Sequence, residues 1–536
     1  MWTRGTIVLG LLSWAIPASA SGTKLALTLN VPGTVTGDAS PIVDRDFLGL
    51  AFEESSFVRY ATDTSGGVNA FTKNLMQSIY SRTGGKPIMR LGGTSPDYAH
   101  YLPGQKEPAL PVAEQNNYQN IGFTTIGPSY WQLTKLFPEA KFMVQVPLAN
   151  RNISEAVEWA KAAVAGIGME QIHSIQIGNE PDAYNNDFHG EGGVFLGPPK
   201  FQGKLTNQTY VGNYTQYANA IRNVLALPTR FFTAFDVGQQ VSNPAATGWL
   251  YDVKTCFDLG IDKNQIIKEV AHHYYQNQAG GRDDLKTGLM TMSVTHTNLD
   301  YYRKHINWLR VNRPKIPFIL NEIGNSLKST NSYEYQARLG SALWQVDFYL
   351  YSLWIGVARF NYQELMHAGY NMWLPVASAS QPAQVFSNYY SQPFLADFVG
   401  TSGKTRVAKI AVGNPSAAPN LAAYAAYEDG QVKRVVVANL DYWFDGVSTI
   451  ARPFVELSLS VPSTTKSVTV TYLTSTQGAG AEAGTMSYAD SQWTYASAGL
   501  EVKGVTKYTK TIVVTNGAVK INVNSSEAAL VYLNTT

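Results

Sequence analysis

The sequence predicts an α/β protein: a closed (β/α)8 TIM barrel carrying a C-terminal antiparallel β-sandwich. Between Phe47 and Gln363, eight short apolar runs alternate with segments of helical periodicity. Strands alternating with helices make a parallel sheet covered by helices. After about Ser391 the helical period fades, and short β-rich runs separated by turn residues replace it. Two of the eight runs end in Asn-Glu, at Glu180 and Glu322, which is where such a barrel keeps its reactive groups.

The eight runs are Phe47–Glu53, Pro87–Leu91, Lys141–Val146, Ser174–Gly178, Phe231–Asp236, Glu269–Tyr274, Pro317–Asn321 and Gly356–Tyr362. Eight repeats are what a barrel needs to close. The alternative is an open doubly wound sheet. No Gly-x-Gly-x-x-Gly follows the first run, which disfavours its dinucleotide-binding form. The clearest helices are Asn152–Ala165, Tyr214–Leu225, Asn298–Arg310 and Tyr333–Tyr351. Further strands are expected at Val432–Leu440, Phe454–Val461, Ser467–Leu473, Lys510–Val514, Ala518–Val523 and Ala528–Leu533, with Asn516-Gly517 as a turn. Gly478–Gly484 reads as a flexible loop. Leu25–Val31 precedes the barrel and is expected to add a strand to the sandwich. The expected organisation is a signal peptide over 1–20, a catalytic barrel over 45–390, and a sandwich built from 21–44 and 391–536.

The 536 residues are 45% hydrophobic and 15% charged, which suits a globular protein with a large core. A formal charge of +2 gives no electrostatic reason to expect nucleic acid or an acidic membrane as partner. Arg4, the short apolar run Ile7 to Ile16 and Ala18-Ser19-Ala20 follow the order of an export signal. A secreted, extracellular mature chain starting near Ser21 is therefore expected. Cys256 is the only cysteine, so no intramolecular disulfide can form and a buried small residue is its plainest role. Sequons begin at Asn152, Asn207, Asn213, Asn524 and Asn534, which suggests a glycoprotein if the source is eukaryotic.

Glu180 lies in Ile175-Gln176-Ile177-Gly178-Asn179-Glu180-Pro181-Asp182, and Glu322 in Pro317-Phe318-Ile319-Leu320-Asn321-Glu322-Ile323-Gly324. A carboxyl group at the mouth of a buried strand is poorly solvated, so its protonation can be tuned. Two facing carboxyl groups are the minimal equipment for cleaving a glycosidic bond. Asn179 is placed to hydrogen-bond a sugar hydroxyl. Glu53, closing the first run, is a third acidic candidate, suited to binding substrate hydroxyls. Arg90, in Arg90-Leu91-Gly92-Gly93-Thr94, suits anchoring a carboxylate at the site floor. Gly92-Gly93 would let backbone approach a ligand. His272-His273-Tyr274-Tyr275 closes the sixth run, where one His and one Tyr can reach the nucleophile or the sugar; Tyr274 is the candidate substrate contact. Adjacent histidines on a strand point to opposite sides, and no His-Glu-x-x-His is present. No metal or other cofactor is expected.

These motifs resemble the retaining (β/α)8 glycosidases, and within them glycoside hydrolase family 79, which contains heparanase and β-glucuronidases. The resemblance rests on Arg90-Leu91-Gly92-Gly93-Thr94-Ser95-Pro96-Asp97, Ile177-Gly178-Asn179-Glu180-Pro181-Asp182 and His367-Ala368-Gly369-Tyr370-Asn371-Met372-Trp373. It spans nearly the whole mature chain. It implies that Glu180 is the acid/base, that Glu322 is the nucleophile, and that Gly369 and Tyr370 belong to a loop touching a uronic-acid carboxylate. There is one departure. Related enzymes often carry a tyrosine shortly after the nucleophile, whereas Glu322 to Lys328 contains none. Lys328 is then the candidate cationic partner. The expected function is a secreted retaining glycoside hydrolase, an exo-acting β-glucuronidase releasing (4-O-methyl-)glucuronic acid from glycans by double displacement. The alternatives are an endo-acting, heparanase-like hydrolase of acidic polysaccharide and a non-catalytic carbohydrate-binding barrel. The expected partner is a carbohydrate substrate, not nucleic acid or a membrane.

Overall fold

The computed structural model describes residues 22–111, 124–184, 205–238, 251–277, 284–326, 333–366, 371–377 and 381–535. Eight parallel strands close a barrel: Leu48–Glu53, Ile88–Gly92, Lys141–Val146, Ile172–Ile177, Phe232–Val237, Ile267–Asn277, Phe318–Ser326 and Phe360–Glu364. Each pairs with its neighbours in chain order, and Phe360 opposite Leu48 joins the eighth strand to the first. The eighth begins at Phe360, not at the expected Gly356. Gly356 ends the preceding helix in the left-handed region, at φ +106°, and its N–H still donates to Ser352 and Leu353.

The helices obey their caps. Ile153–Ile167 starts where the Asn152 side chain accepts from the Glu155 N–H. Asn207–Leu225 begins a turn and more before the expected Tyr214, because Thr206 and Thr209 form a capping box ahead of it. The helix expected over Asn298–Arg310 is two, Met292–Asp300 and Arg303–Asn312; that expected over Tyr333–Tyr351 divides into Tyr333–Gln336 and Leu339–Ile355. Met143, Ala271 and Ile319, from the third, sixth and seventh strands, make a small apolar cluster of their own, so the barrel is packed and not a pore. Near the strand starts, the buried Glu269 carboxylate takes Arg359 at 2.6 Å and Thr233 at 2.9 Å. Burial opposes its ionisation, but Arg359 and His173 outweigh that and hold it far below the usual carboxylate range.

The C-terminal part is a sandwich. Its larger sheet contains Arg406–Lys409, Leu421–Glu428, Gln431–Asn439, Ser467–Thr474 and Glu527–Asn534. The smaller sheet is Lys24–Asn30, Phe454–Ser460 and Ala518–Asn524, with the first strand parallel to the second. Val455, Leu457 and Leu459 alternate inward, as a half-buried strand requires. Leu421–Glu428 is buried on both faces. Leu421, Ala423, Ala425 and Tyr427 enter the sandwich core, while Ala422, Tyr424 and Ala426 pack with the barrel. The Tyr424 hydroxyl donates to Asp347 at 2.6 Å, on the buried helix Leu339–Ile355. Gly478–Gly484 is packed against the barrel, contrary to the reading of a flexible loop. The carbonyls of Ala481 and Ala479 accept the N–H groups of Leu339 and Gly340, at 2.8 and 2.9 Å, and so satisfy the free donors that open that helix.

Candidate active site

Three strand ends depart from regular pairing around one point. In the seventh strand, the register slips so that His272 opposes Leu320 while His273 opposes Glu322, which leaves Asn321 as a bulge. Consecutive side chains then both turn inward. Asn321 Nδ2 donates to Asp236 at 2.5 Å and Gln176 at 3.2 Å, and Glu322 reaches the barrel axis. In the fifth strand, Phe235 and Asp236 take φ of +83° and +46°, next to another slip in register. After the fourth strand, Glu180 itself is left-handed at φ +48°. That conformation costs a non-glycine residue about 1 kcal/mol. Its N–H is held by the Asp236 carbonyl at 2.8 Å.

Glu322 is fixed from two sides. Arg90 Nη1 donates to Oε2 at 2.5 Å, and the Tyr275 hydroxyl donates to Oε1 at 2.7 Å. Burial disfavours its charged form, but the positive charges of His273 and Arg90, with these hydrogen bonds, prevail and hold it below the usual glutamate range. The fully buried Arg90 is itself locked by Gln176 at 2.9 Å and by Asn179 Oδ1 at 2.5 Å. His273 sits between the two glutamates. Its Nδ1 lies 2.9 Å from Glu180 Oε1 and 3.9 Å from Glu322 Oε2, and its Nε2 lies 3.5 Å from Asp236 Oδ1. Burial opposes its protonation; Glu322, Asp236 and Glu180 reverse that and push it up to about 10. His273 is therefore an imidazolium at neutral pH, donating its Nδ1–H to Glu180. Carboxylate oxygens of Glu180 and Glu322 come within 4.8 Å of one another. The Glu180 side chain is 27% exposed and that of Glu322 9%, so one acid opens outward and the other is enclosed.

Residues 423–530 match the model of the glycosyl hydrolase family 79 C-terminal beta domain. The chain is a glycosyl hydrolase. It is 26% identical over 462 residues to a β-glucuronidase of Neurospora crassa, covering 81% of this chain and 78% of that one. It is 25% identical over 477 residues to a β-glucuronidase of Aspergillus niger, covering 84% and 82%. Among solved structures, it superposes on a 4-O-α-L-rhamnosyl-β-D-glucuronidase of Fusarium oxysporum with a TM-score of 0.76 at 18% identity, covering 95% of this chain and all of that one. A family 51 arabinofuranosidase of Xanthomonas axonopodis follows at 0.60 and 15%, covering 95% and 99%. These two show the shared fold.

The hydrolase brings Glu53, Arg90, Asn179, Glu180 and Glu322 to one end of its barrel. Glu53 accepts from Ser95 N and Oγ at 2.6 and 2.5 Å and from Gln363 at 3.1 Å. Burial, and then the charge of Glu322, push it up to about 7 against those hydrogen bonds. Gly93, at φ +100°, makes its close approach to this carboxylate: a Cβ there would overlap it. Tyr274 is not at the site. Its hydroxyl meets Gln276, and its ring packs on Phe348 with centroids 4.9 Å apart, in the helical layer. Strand alternation explains the correction, since Ala271, His273 and Tyr275 face inward while His272 and Tyr274 face outward. The sequence pointed to a tyrosine here, and a period-two count from His273 selects Tyr275. Lys328, Gly369 and Tyr370, like the 1–20 segment, lie outside the described residues. Glu180, His273 and Glu322 are close enough together to surround a cation.

Asp97, part of the Arg90–Asp97 motif, holds the loop that carries Glu180. It is buried and accepts four hydrogen bonds from two other loops. Leu148 and Ala149 N–H donate to Oδ1 at 2.8 and 3.2 Å; Asn179 N–H and the Tyr184 hydroxyl donate to Oδ2, both at 2.8 Å. Gly178 beside them, at φ +75°, has no room for a Cβ against Tyr184 and Leu148. Asp97→Asn turns an NH2 toward one of these donor pairs. It is expected to lower kcat/KM by about tenfold to a hundredfold on glycosides with poor leaving groups, as a misplaced group does, and much less on activated aryl glycosides. Equal losses on both substrate types, with circular dichroism unchanged, would remove Asp97 from this role.

Proposed function

We propose that this hydrolase is a secreted, retaining, exo-acting β-glucuronidase that releases (4-O-methyl-)glucuronic acid from glycans by double displacement. The observation that carries the mechanism is the carboxylate separation. An oxygen of each acid lies within 4.8 Å of the other, which falls short of the roughly 6.5–9.5 Å that inverting enzymes use to seat an attacking water and accords with the about 5–5.5 Å of retaining ones. Glu322, ionised and enclosed, attacks the anomeric carbon. Glu180, at the open side, gives its proton to the departing oxygen and later takes one from the incoming water. Once Glu322 is esterified it no longer carries a charge, so the His273 imidazolium is left with Glu180 and Asp236 as its anionic partners.

The sugar assignment is supported by the two curated relatives, both β-glucuronidases. The Gly369-Tyr370 resemblance and Lys328 supply its polar partners in this reading. A buried carboxylate is costly unless paired, and a site built to pair it is left with unmatched donors by a neutral sugar. Aryl β-glucuronide is therefore expected to be cleaved at least about a hundredfold faster than aryl β-glucoside. Tyr370→Phe should narrow the gap. Proton NMR should show the β-anomer as the first-formed product. Comparable kcat/KM on the two sugars would overturn the uronate assignment, and α-anomer formed first would overturn double displacement.

A further inference from the structure

A second concavity lies where the sandwich meets the barrel, with a volume of about 400 Å³. That falls within the ~300–1,000 Å³ range of small-ligand sites. Its barrel wall is Ala337, Gln381, Gln384, Val385 and Phe386, from the chain that follows the seventh and eighth strands. Its other wall, Glu482–Gly484 and Trp493–Tyr495, belongs to the sandwich. The ends of strands seven and eight lead to the catalytic face. Tyr495 confirms the placement, because its ring meets Phe71 edge-on, with centroids 5.0 Å apart, in the first turn of the helix Ala70–Thr83. A helix that follows a barrel strand starts at that same face. The walls are tied together: Ser387 Oγ donates to Ala337 O at 2.8 Å and to Ala481 O at 3.1 Å.

The lining states its chemistry. Tyr495 is 54% exposed, so much of its ring is open to a ligand. Gln384, Gln381 and Thr494 add amide and hydroxyl groups to the same lining, with Gln384 Nε2 donating to Gln381 Oε1 at 3.2 Å and Thr494 Oγ1 to Ser497 Oγ at 3.2 Å. Among the described residues no cationic side chain lines the groove, and the one charged residue among them, Glu482, is paired with Arg338 at 3.0 Å. Such a surface gives nothing to neutralise an acidic glycan. An aromatic face beside neutral donors and acceptors suits the C–H faces and hydroxyls of uncharged sugars.

We infer that this groove is a subsite for neutral sugar units on the leaving-group side of the substrate, contributed jointly by the sandwich and the loops after strands seven and eight. It rests on the glucuronidase reading for the substrate's reacting end, and adds a role for the C-terminal sandwich in choosing the glycan behind it. The test compares Tyr495→Ala and Gln384→Ala with the unmutated protein. Activity on aryl β-glucuronide should stay within about twofold, while kcat/KM on a β-glucuronosyl-terminated neutral hexasaccharide should fall about tenfold through KM. The corresponding disaccharide should be unaffected. An unchanged hexasaccharide KM, or an equal loss on the aryl substrate, would overturn the subsite. Binding is also read without turnover, by saturation-transfer NMR of cellohexaose, xylohexaose and mannohexaose on the Glu322→Gln protein. Signal from at least one, lost on adding Tyr495→Ala, supports the groove even where aryl β-glucuronide proves not to be a substrate. No signal from any of the three overturns it.

Discussion

Glu322→Gln is expected to lower kcat/KM by about 10⁵-fold, the scale on which losing a nucleophile acts. The near-isosteric amide keeps an oxygen for Arg90 and leaves the barrel folded. It also removes the charge that does most to keep His273 protonated. The imidazole should therefore titrate at lower pH in the variant, as NMR of its ring protons would read. In the unmutated protein, a 2-fluoro glucuronide with an activated leaving group should trap a covalent adduct on a peptide containing Glu322. Near-normal activity in the variant, or an adduct on another peptide, would sink the assignment.

For Glu180→Ala the expected signature is a split between substrates. A general acid matters most where the leaving group is poor, and such catalysis is worth about 10²–10⁴-fold. Natural glycosides should lose that factor, while aryl glycosides with acidic leaving groups lose little in the first step. Azide, needing no base, should then speed the second step and yield a β-glycosyl azide. Losses of equal size on both substrate classes, with no response to azide, would contradict the acid/base role.

How far these assignments were legible depends on what each residue's signal was. The eight barrel strands are apolar runs bounded by polar residues, and six of them fall within three residues of their expected limits, while the seventh runs on to Ser326 and the eighth starts late at Phe360. Leu421–Glu428 was missed because it is alanine-rich and buried on both faces, so no alternation marks it as a strand. Gly478–Gly484 was misread because small residues serve loops and tight interfaces alike, and composition does not tell them apart. Glu180 and Glu322 were readable because a carboxylate closing an apolar run has few structural reasons to be there. His273 and Tyr275 were readable as types, but choosing between Tyr274 and Tyr275 needs the strand's phase. Asp97 carried no signal of its own. Its role exists only where three loops converge, which a linear pattern does not express.

The first strand of the sandwich has a consequence for how the molecule is assembled. Lys24–Asn30 finds its partner in Phe454–Ser460, and the Val31 N–H reaches Ser460 across 429 residues of chain. Every strand of the barrel is synthesised in between. The opening strand therefore has no partner until Phe454–Ser460 has been made, and the smaller sheet can form only when the last segments arrive. Contacts of such long range are slow to close. The sandwich is thus the last part to be completed, and a fragment beginning after the barrel would lack one of its edges.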